Sequence, residues 1–301
     1  MSKPILPANT ITITTYAELR RQISAFASCI YTFVIVIGTA GLGKTRVIKQ
    51  AMADRKHLYL DNHATPFGLY EALYQHRDEP VILDDLDHIH RDPATLRLLK
   101  ALCNTELVKN VSWLSKHRLI GDRPGQIPAS FTTSSPVCLL TNQWSTANEH
   151  VKAVENRAIV LHFAASVQEV HQEVSRFNSQ IRTVFDFIGQ HQGLIRTPSI
   201  RQYVLGEQLR QANPETWRAL LLESLGVDER IRMIALLTDD QAFPTEKARA
   251  QAFVDAGLGS QATYYRVKAD LEKSQANQTA SDRSDSESVE TDNSRDHQPN
   301  L

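Results

Sequence analysis

The chain has 301 residues, room for one large or two moderate domains at roughly 100–200 residues each, and its 42% hydrophobic and 22% charged residues exclude collagen-like, coiled-coil and wholly disordered classes. The net charge of −1 conceals an asymmetry, because residues 274–301 hold Asp282, Asp285, Glu287, Glu290, Asp292 and Asp296 against Arg283 and Arg295, which leaves the remainder at +3; such a weakly basic body neither demands nor excludes nucleic acid. No apolar run approaches the roughly 18 residues of a membrane-spanning helix and no secretory pattern opens the chain, while Cys29, Cys103 and Cys138 are too few and too scattered for a disulfide framework or structural zinc, so a cytoplasmic protein is predicted.

In chain order, the helical spacing of Leu19, Ile23 and Phe26 predicts a helix from Thr15 to Ser28, and the β-branched and aromatic run Tyr31 to Ile37 predicts a buried strand. Similar runs at His57 to Leu60, Val81 to Leu83, Val137 to Leu140 and Ala158 to Phe163 alternate with helical stretches. Such alternation predicts an α/β domain with a parallel sheet over residues 1–165. Only helices are expected afterwards: Ser166 to Gln190, Ser199 to Gln211, Pro214 to Leu225 and Asp228 to Leu237, forming a helical lid over residues 166–240. Residues 241–273 read as two helices around Gly257-Leu258-Gly259, a helix-turn-helix-like module. Residues 274–301 are too polar to offset their ordering entropy and read as a disordered acidic tail.

Two motifs carry chemistry. Gly38-Thr39-Ala40-Gly41-Leu42-Gly43-Lys44-Thr45 follows the strand and opens a helix, the context of a phosphate-binding loop. Backbone N–H groups freed by the glycines and the N-terminus of the helix would cradle phosphates, Lys44 would neutralise their charge, and Thr45 would hold magnesium. Pro80-Val81-Ile82-Leu83-Asp84-Asp85 is a short apolar strand ending in two carboxylates. There Asp84 would bind magnesium through water and Asp85 would orient or deprotonate the attacking water. Asp87 is a substitute for that second role. His88 and His90 beside Asp87 lack a further ligand set and read as the start of a helix.

Together with Val137-Cys138-Leu139-Leu140-Thr141-Asn142, these motifs resemble the AAA+ class of P-loop ATPases over about residues 15–225. The resemblance implies ATP and magnesium as cofactors, a sensor strand between the two motif strands, and Asn142 as the polar sensor that positions water. In Ala153-Val154-Glu155-Asn156-Arg157 it implies that Arg157 is an arginine finger reaching a neighbour's nucleotide, and hence a homo-oligomer, a ring or helical filament; a salt bridge from Arg157 to Glu155 or another acid is the alternative. In Thr197-Pro198-Ser199-Ile200-Arg201 it implies Arg201 as a second sensor, with Arg196 as competitor. Most members of that class carry glutamate where Asp85 stands, which bears on turnover.

The Asp-Asp pair and Phe131-Thr132-Thr133-Ser134-Ser135-Pro136 are similar to superfamily-three helicases of viruses and plasmids, and the class is read as a mobile-element ATPase. Val108 to Pro128, with Lys109, Lys116, His117, Arg118 and Arg123, is a candidate DNA-tracking loop or else a solvated basic loop. In the terminal module Gln261, Thr263, Tyr264, Arg266 and Lys268 are candidate DNA contacts and Ser260 the helix cap, against a hairpin that merely packs on protein. Trp113, Trp144 and Trp217 read as core or interface aromatics. The leading expectation is a DNA-acting ATPase in replication, transposition or plasmid and phage maintenance, with a possible replication or transposition protein partner and no membrane. The rivals are a nucleotide-gated adaptor with slow turnover and, more weakly, a metabolic kinase.

Overall fold

A computed structural model describes residues 6–61, 65–85, 92–104, 106–113, 120–121, 126–144, 149–177 and 181–273. The chain divides into two units, Met1–Val170 and His171–Leu301.

In the first unit the alternating Thr and Ile residues 10–13 form β1 (Thr10–Ile13), a strand that the sequence reading passed over. α1 (Tyr16–Ala27) starts where Thr15 and Glu18 make a reciprocal capping box, satisfying two orphan N–H groups of its first turn. β2 (Phe33–Ile37) and α2 (Lys44–Ala51) flank the glycine-rich loop. β3 (Leu58–Asp61), α3 (Pro66–Gln75), β4 (Val81–Asp84) and α4 (Pro93–Leu102) follow. Thr65 and Asp92 cap α3 and α4, each with Pro in the first turn, where a missing N–H costs nothing. The unit continues with β5 (Lys109–Ser112), β6 (Ser130–Thr133), β7 (Val137–Thr141), α5 (Glu149–Glu155) and β8 (Ile159–Phe163).

The six-stranded sheet has the order β1-β8-β2-β7-β4-β3, and every pairing in it is parallel. This is the α/β architecture that the alternation of elements predicts. β7 lies between β2 and β4, with Val34 opposite Cys138 and Ile82 opposite the same Cys138, so the ends of all three strands meet at one edge. Phe33, Ile35, Ile37, Val81, Leu83, Val137, Leu139 and Val160 form one core with Leu69 and Leu73 of α3, Leu99 and Leu102 of α4, and Val151 and Val154 of α5. The intervening Val34, Val36, Ile82, Cys138, Leu140 and Leu161 are also buried, and α1 packs against α2. Burial on both faces is why these strands read as continuous apolar runs instead of alternating ones.

β5 and β6 form a separate antiparallel pair, from Lys109 opposite Thr133 to Ser112 opposite Ser130. The candidate tracking segment is therefore partly a hairpin, and Lys109 is a correction to the solvated basic loop: it is fully buried and donates to the Ser135 carbonyl at 2.8 Å. Lys116, His117, Arg118 and Arg123 lie outside the described residues, as do Asp87, His88, His90 and the acidic tail. Trp113 packs on Phe67 and Tyr70, Trp144 is buried, and Trp217 meets Phe187, so all three tryptophans are packing residues. Cys103 and Cys138 are buried, Cys29 is exposed, and all three are free thiols.

The second unit is helical. α6 (Val167–Ser175) runs across the division at Val170, and α7 (Arg182–Gln190) follows it as a separate helix, where the sequence predicts a single helix to Gln190. α8 (Arg201–Ala212), α9 (Trp217–Ser224), α10 (Glu229–Asp239), α11 (Glu246–Asp255) and α12 (residues 261–273) complete it. Ser260 caps α12, its hydroxyl accepting from the Thr263 N–H at 3.2 Å. Gly257 and Gly259, at φ +74° and +141°, turn the chain between α11 and α12 where a side chain would be strained. Ile234 and Leu237 of α10 share one core with Ala250, Phe253 and Tyr264. The expected boundary at residue 240 thus falls within a three-helix cluster, α10 to α12, whose α10 also packs on α9. Among the described residues no helix is long and apolar enough to cross a membrane.

Candidate functional site

The site is built where β2, β4 and β7 end. Gly38 leaves β2 so close to β8 that a Cβ there would stand 2.7 Å from the Phe163 carbonyl oxygen. Gly41 and Gly43 take φ of 87° and 74°, left-handed values that glycine adopts without steric cost, and Gly43 forms the N-cap of α2. Residues Gly38 to Thr45, with Thr39, Ala40 and Leu42 between the glycines, therefore form the turn from strand to helix that the motif requires. The loop is fixed from behind by Tyr16 of α1, whose buried hydroxyl donates to the Leu42 carbonyl at 2.8 Å.

Lys44 is almost wholly buried, and its ammonium donates to the carbonyls of Gly38 at 2.6 Å and Thr39 at 3.1 Å and to Asn142 Oδ1 at 3.0 Å. Asn142, just past β7, in turn donates Nδ2 to Asp85 Oδ1 at 2.7 Å. The amide uses both of its faces, acceptor toward Lys44 and donor toward Asp85. Asp85 sits in left-handed backbone at φ 49°, uncommon for a residue other than glycine, and its N–H donates to the Leu140 carbonyl at 3.1 Å. The backbone turn at the strand end thereby aims Asp84 and Asp85 differently.

Asp84 faces α2. Thr45 Oγ1 donates to Asp84 Oδ2 at 2.7 Å, and Tyr59 OH donates to the same oxygen at 2.5 Å. Burial, then the hydrogen bond to Asp84, holds the Tyr59 phenol well above its ordinary pKa, so it stays protonated and a donor. Thr45 and Asp84 offer hard oxygen donors side by side. Magnesium binds to one or two such groups together with substrate phosphates and water instead of to an all-protein cage, so these two residues fit the cation. Tyr59 is the site residue that the sequence reading missed; its only signal was a hydroxyl on the strand beside the paired carboxylates.

Lys44, Thr45, Asp84, Asp85 and Asn142 are thus brought together, and of the predicted residues of the first unit Arg157 is not part of that cluster. Arg157 is exposed just before β8, at the opposite end of the sheet from the loop, and donates to the Lys100 carbonyl at 3.4 Å. Glu155, the alternative partner, is buried and accepts from Trp144 Nε1 at 2.6 Å. Arg201 belongs to the second unit, where it and Arg196 line one open pocket of about 400 Å³ with Ser199 and Gln202.

On α12 the five candidate contacts divide. Tyr264 is a correction: it is fully buried against Phe253, with its hydroxyl donating to Glu246 at 2.7 Å, because its position on the helix faces the three-helix core. Lys268 pairs with Glu246 at 2.7 Å and Glu272 at 3.7 Å, which neutralises much of its charge. Thr263 lies over the Ser260 cap and is half-buried. Gln261 and Arg266 are exposed, together with Tyr265, which the prediction left out. No protein-family model matches the chain, and no curated protein shows significant similarity to it.

Proposed function

We propose that the protein is a magnesium-dependent ATPase of the AAA+ class that acts on DNA as an oligomer. The observation that carries this reading is the chain of contacts Lys44–Asn142–Asp85, set beside Thr45–Asp84, at the shared end of three parallel strands. Lys44 and the loop N–H groups bind the β- and γ-phosphates, and Thr45 and Asp84 hold magnesium, which supplies charge neutralisation on the phosphates when bound. Asp85 accepts the proton of the attacking water, and Asn142 orients that water. The position of β7 between β2 and β4 supports the sensor role of Asn142. Arg157, exposed and far from its own loop, serves a neighbouring subunit's nucleotide, and Arg201 acts as the second sensor in the helical lid. α10 to α12 form a helix-turn-helix domain whose exposed Gln261, Tyr265 and Arg266 meet DNA.

ATP hydrolysis measured with and without single- and double-stranded DNA tests the reading, with Lys44→Ala as control. Stimulation by DNA that Lys44→Ala abolishes is the expected result; absence of nucleotide binding overturns it.

A second reading, a nucleotide-gated adaptor for a protein partner, is favoured by one observation: Asp85 is shorter than glutamate and its Oδ1 is already engaged by Asn142. Tight ATP binding with negligible, DNA-insensitive hydrolysis would select it.

A further inference from the structure

Both hydroxyls that reach Asp84 converge on one oxygen. Thr45 comes from α2 and Tyr59 from β3, and both donate to Oδ2, at 2.7 and 2.5 Å. Among the described residues Oδ1 accepts no hydrogen bond. β3 is the edge strand next to β4, in the register Tyr59 opposite Ile82 and Asp61 opposite Asp84, so the phenol reaches across to the carboxylate from the neighbouring strand. Its ring is itself fixed, with Lys49 Nζ of α2 standing 4.3 Å from the ring centroid, a cation–π distance. A carboxylate has broad, roughly two-fold freedom about its last torsion. Two donors on one oxygen remove that freedom before any ligand arrives.

We propose that Tyr59 is a positioning residue for Asp84. The phenol and Thr45 together clamp Oδ2, so that Oδ1 is presented to the magnesium that accompanies the nucleotide. This rests on reading Lys44, Thr45 and Asp84 as a MgATP site. Pre-organisation of this kind lowers the cost of ordering the ligand when the cation binds, so the phenol acts on magnesium and not on the phosphates, which Lys44 and the loop receive.

The test uses the full-length protein, a fluorescent ATP analogue, and a magnesium titration set against EDTA. Tyr59→Phe keeps the ring under Lys49 and removes only the hydroxyl. It is expected to raise the magnesium concentration at half-saturation about three- to tenfold, in keeping with the net contribution of one ordinary hydrogen bond, while affinity in EDTA stays at the wild-type value. Tyr59→Leu, which also removes the ring, should shift half-saturation at least as far, and thermal melting of both variants checks that they fold. An unchanged half-saturation in Tyr59→Phe overturns the proposal, as does a shift in Tyr59→Leu alone, which would make ring packing the agent. A lower half-saturation overturns it too, because the phenol would then compete with the cation. A wild-type protein whose nucleotide binding ignores magnesium would instead remove the MgATP reading itself.

Discussion

The Asn142 amide donates to Asp85 while Asp85 is held in left-handed backbone, so the acid's direction is set by both its own turn and a residue 57 positions further along the chain. Asn142→Ala removes this restraint and the acceptor for Lys44 together. Hydrolysis is expected to fall about a hundred- to a thousandfold, the scale of losing one preorganised polar group in a reacting site, with nucleotide affinity changed far less. Single-turnover rates and fluorescent-nucleotide binding, measured side by side, check this.

Gly38→Ala is expected to destabilise the first unit by about 1–3 kcal/mol, the usual cost of overpacking, because the new methyl would meet the Phe163 carbonyl at 2.7 Å and backbone cannot rotate aside. Chemical denaturation of the variant against wild type reads the loss directly. The damage should extend to nucleotide binding, since Lys44 takes its closest acceptor from the Gly38 carbonyl.

The three-helix module should weaken in acid. Lys268 first, then the Tyr264 hydroxyl, holds the Glu246 carboxyl below its ordinary value of 4.5. A depressed folded-state pKa contributes stability above the unfolded value and loses it as the pH falls through the folded one. Glu246→Gln should therefore lower the melting temperature of the module at pH 7 and make little difference well below pH 4.5. Added salt should shrink the effect, because a third of the Glu246 side chain is exposed.

Lys109 gives a slope of the same sign, but in the alkaline range. Burial pushes its pKa below the ordinary 10.5, so between the folded and unfolded values the unfolded chain binds more protons, and stability rises with pH. Melting of the first unit between neutrality and pH 10.5 should climb more in wild type than in Lys109→Met, in which that titration is absent.

Legibility followed burial and motif length. The strands at Phe33–Ile37, Val81–Asp84, Val137–Thr141 and Ile159–Phe163 were plain in the sequence because a parallel sheet covered on both faces leaves unbroken apolar runs. β1 escaped notice because an edge strand of alternating Thr and Ile carries only half of that signal, with Ile11 half-exposed. β5 and β6 escaped because each has only four residues and one of their buried positions, opposite Thr133, is the lysine Lys109. At the site, the eight-residue loop and the Asp-Asp pair fix their own geometry, and Asn142 was legible as the polar residue ending a strand. Tyr59 was not, since the hydrogen bond that defines it spans two strands. Tyr264 misled because helical spacing alone does not say which face turns toward α10.

The order of the sheet has a consequence for how the chain assembles. β2 and β4 are not paired with each other; each is hydrogen-bonded to β7, so Val34 waits for Cys138, 104 residues later in the sequence. On a ribosome the glycine-rich loop and both carboxylates are made early, yet the strand that joins them emerges only afterwards. Pairings of such long sequence separation are slow to form, and the nascent chain cannot join Lys44 and Asp85 through Asn142 until β7 has been synthesised and inserted into the middle of the sheet.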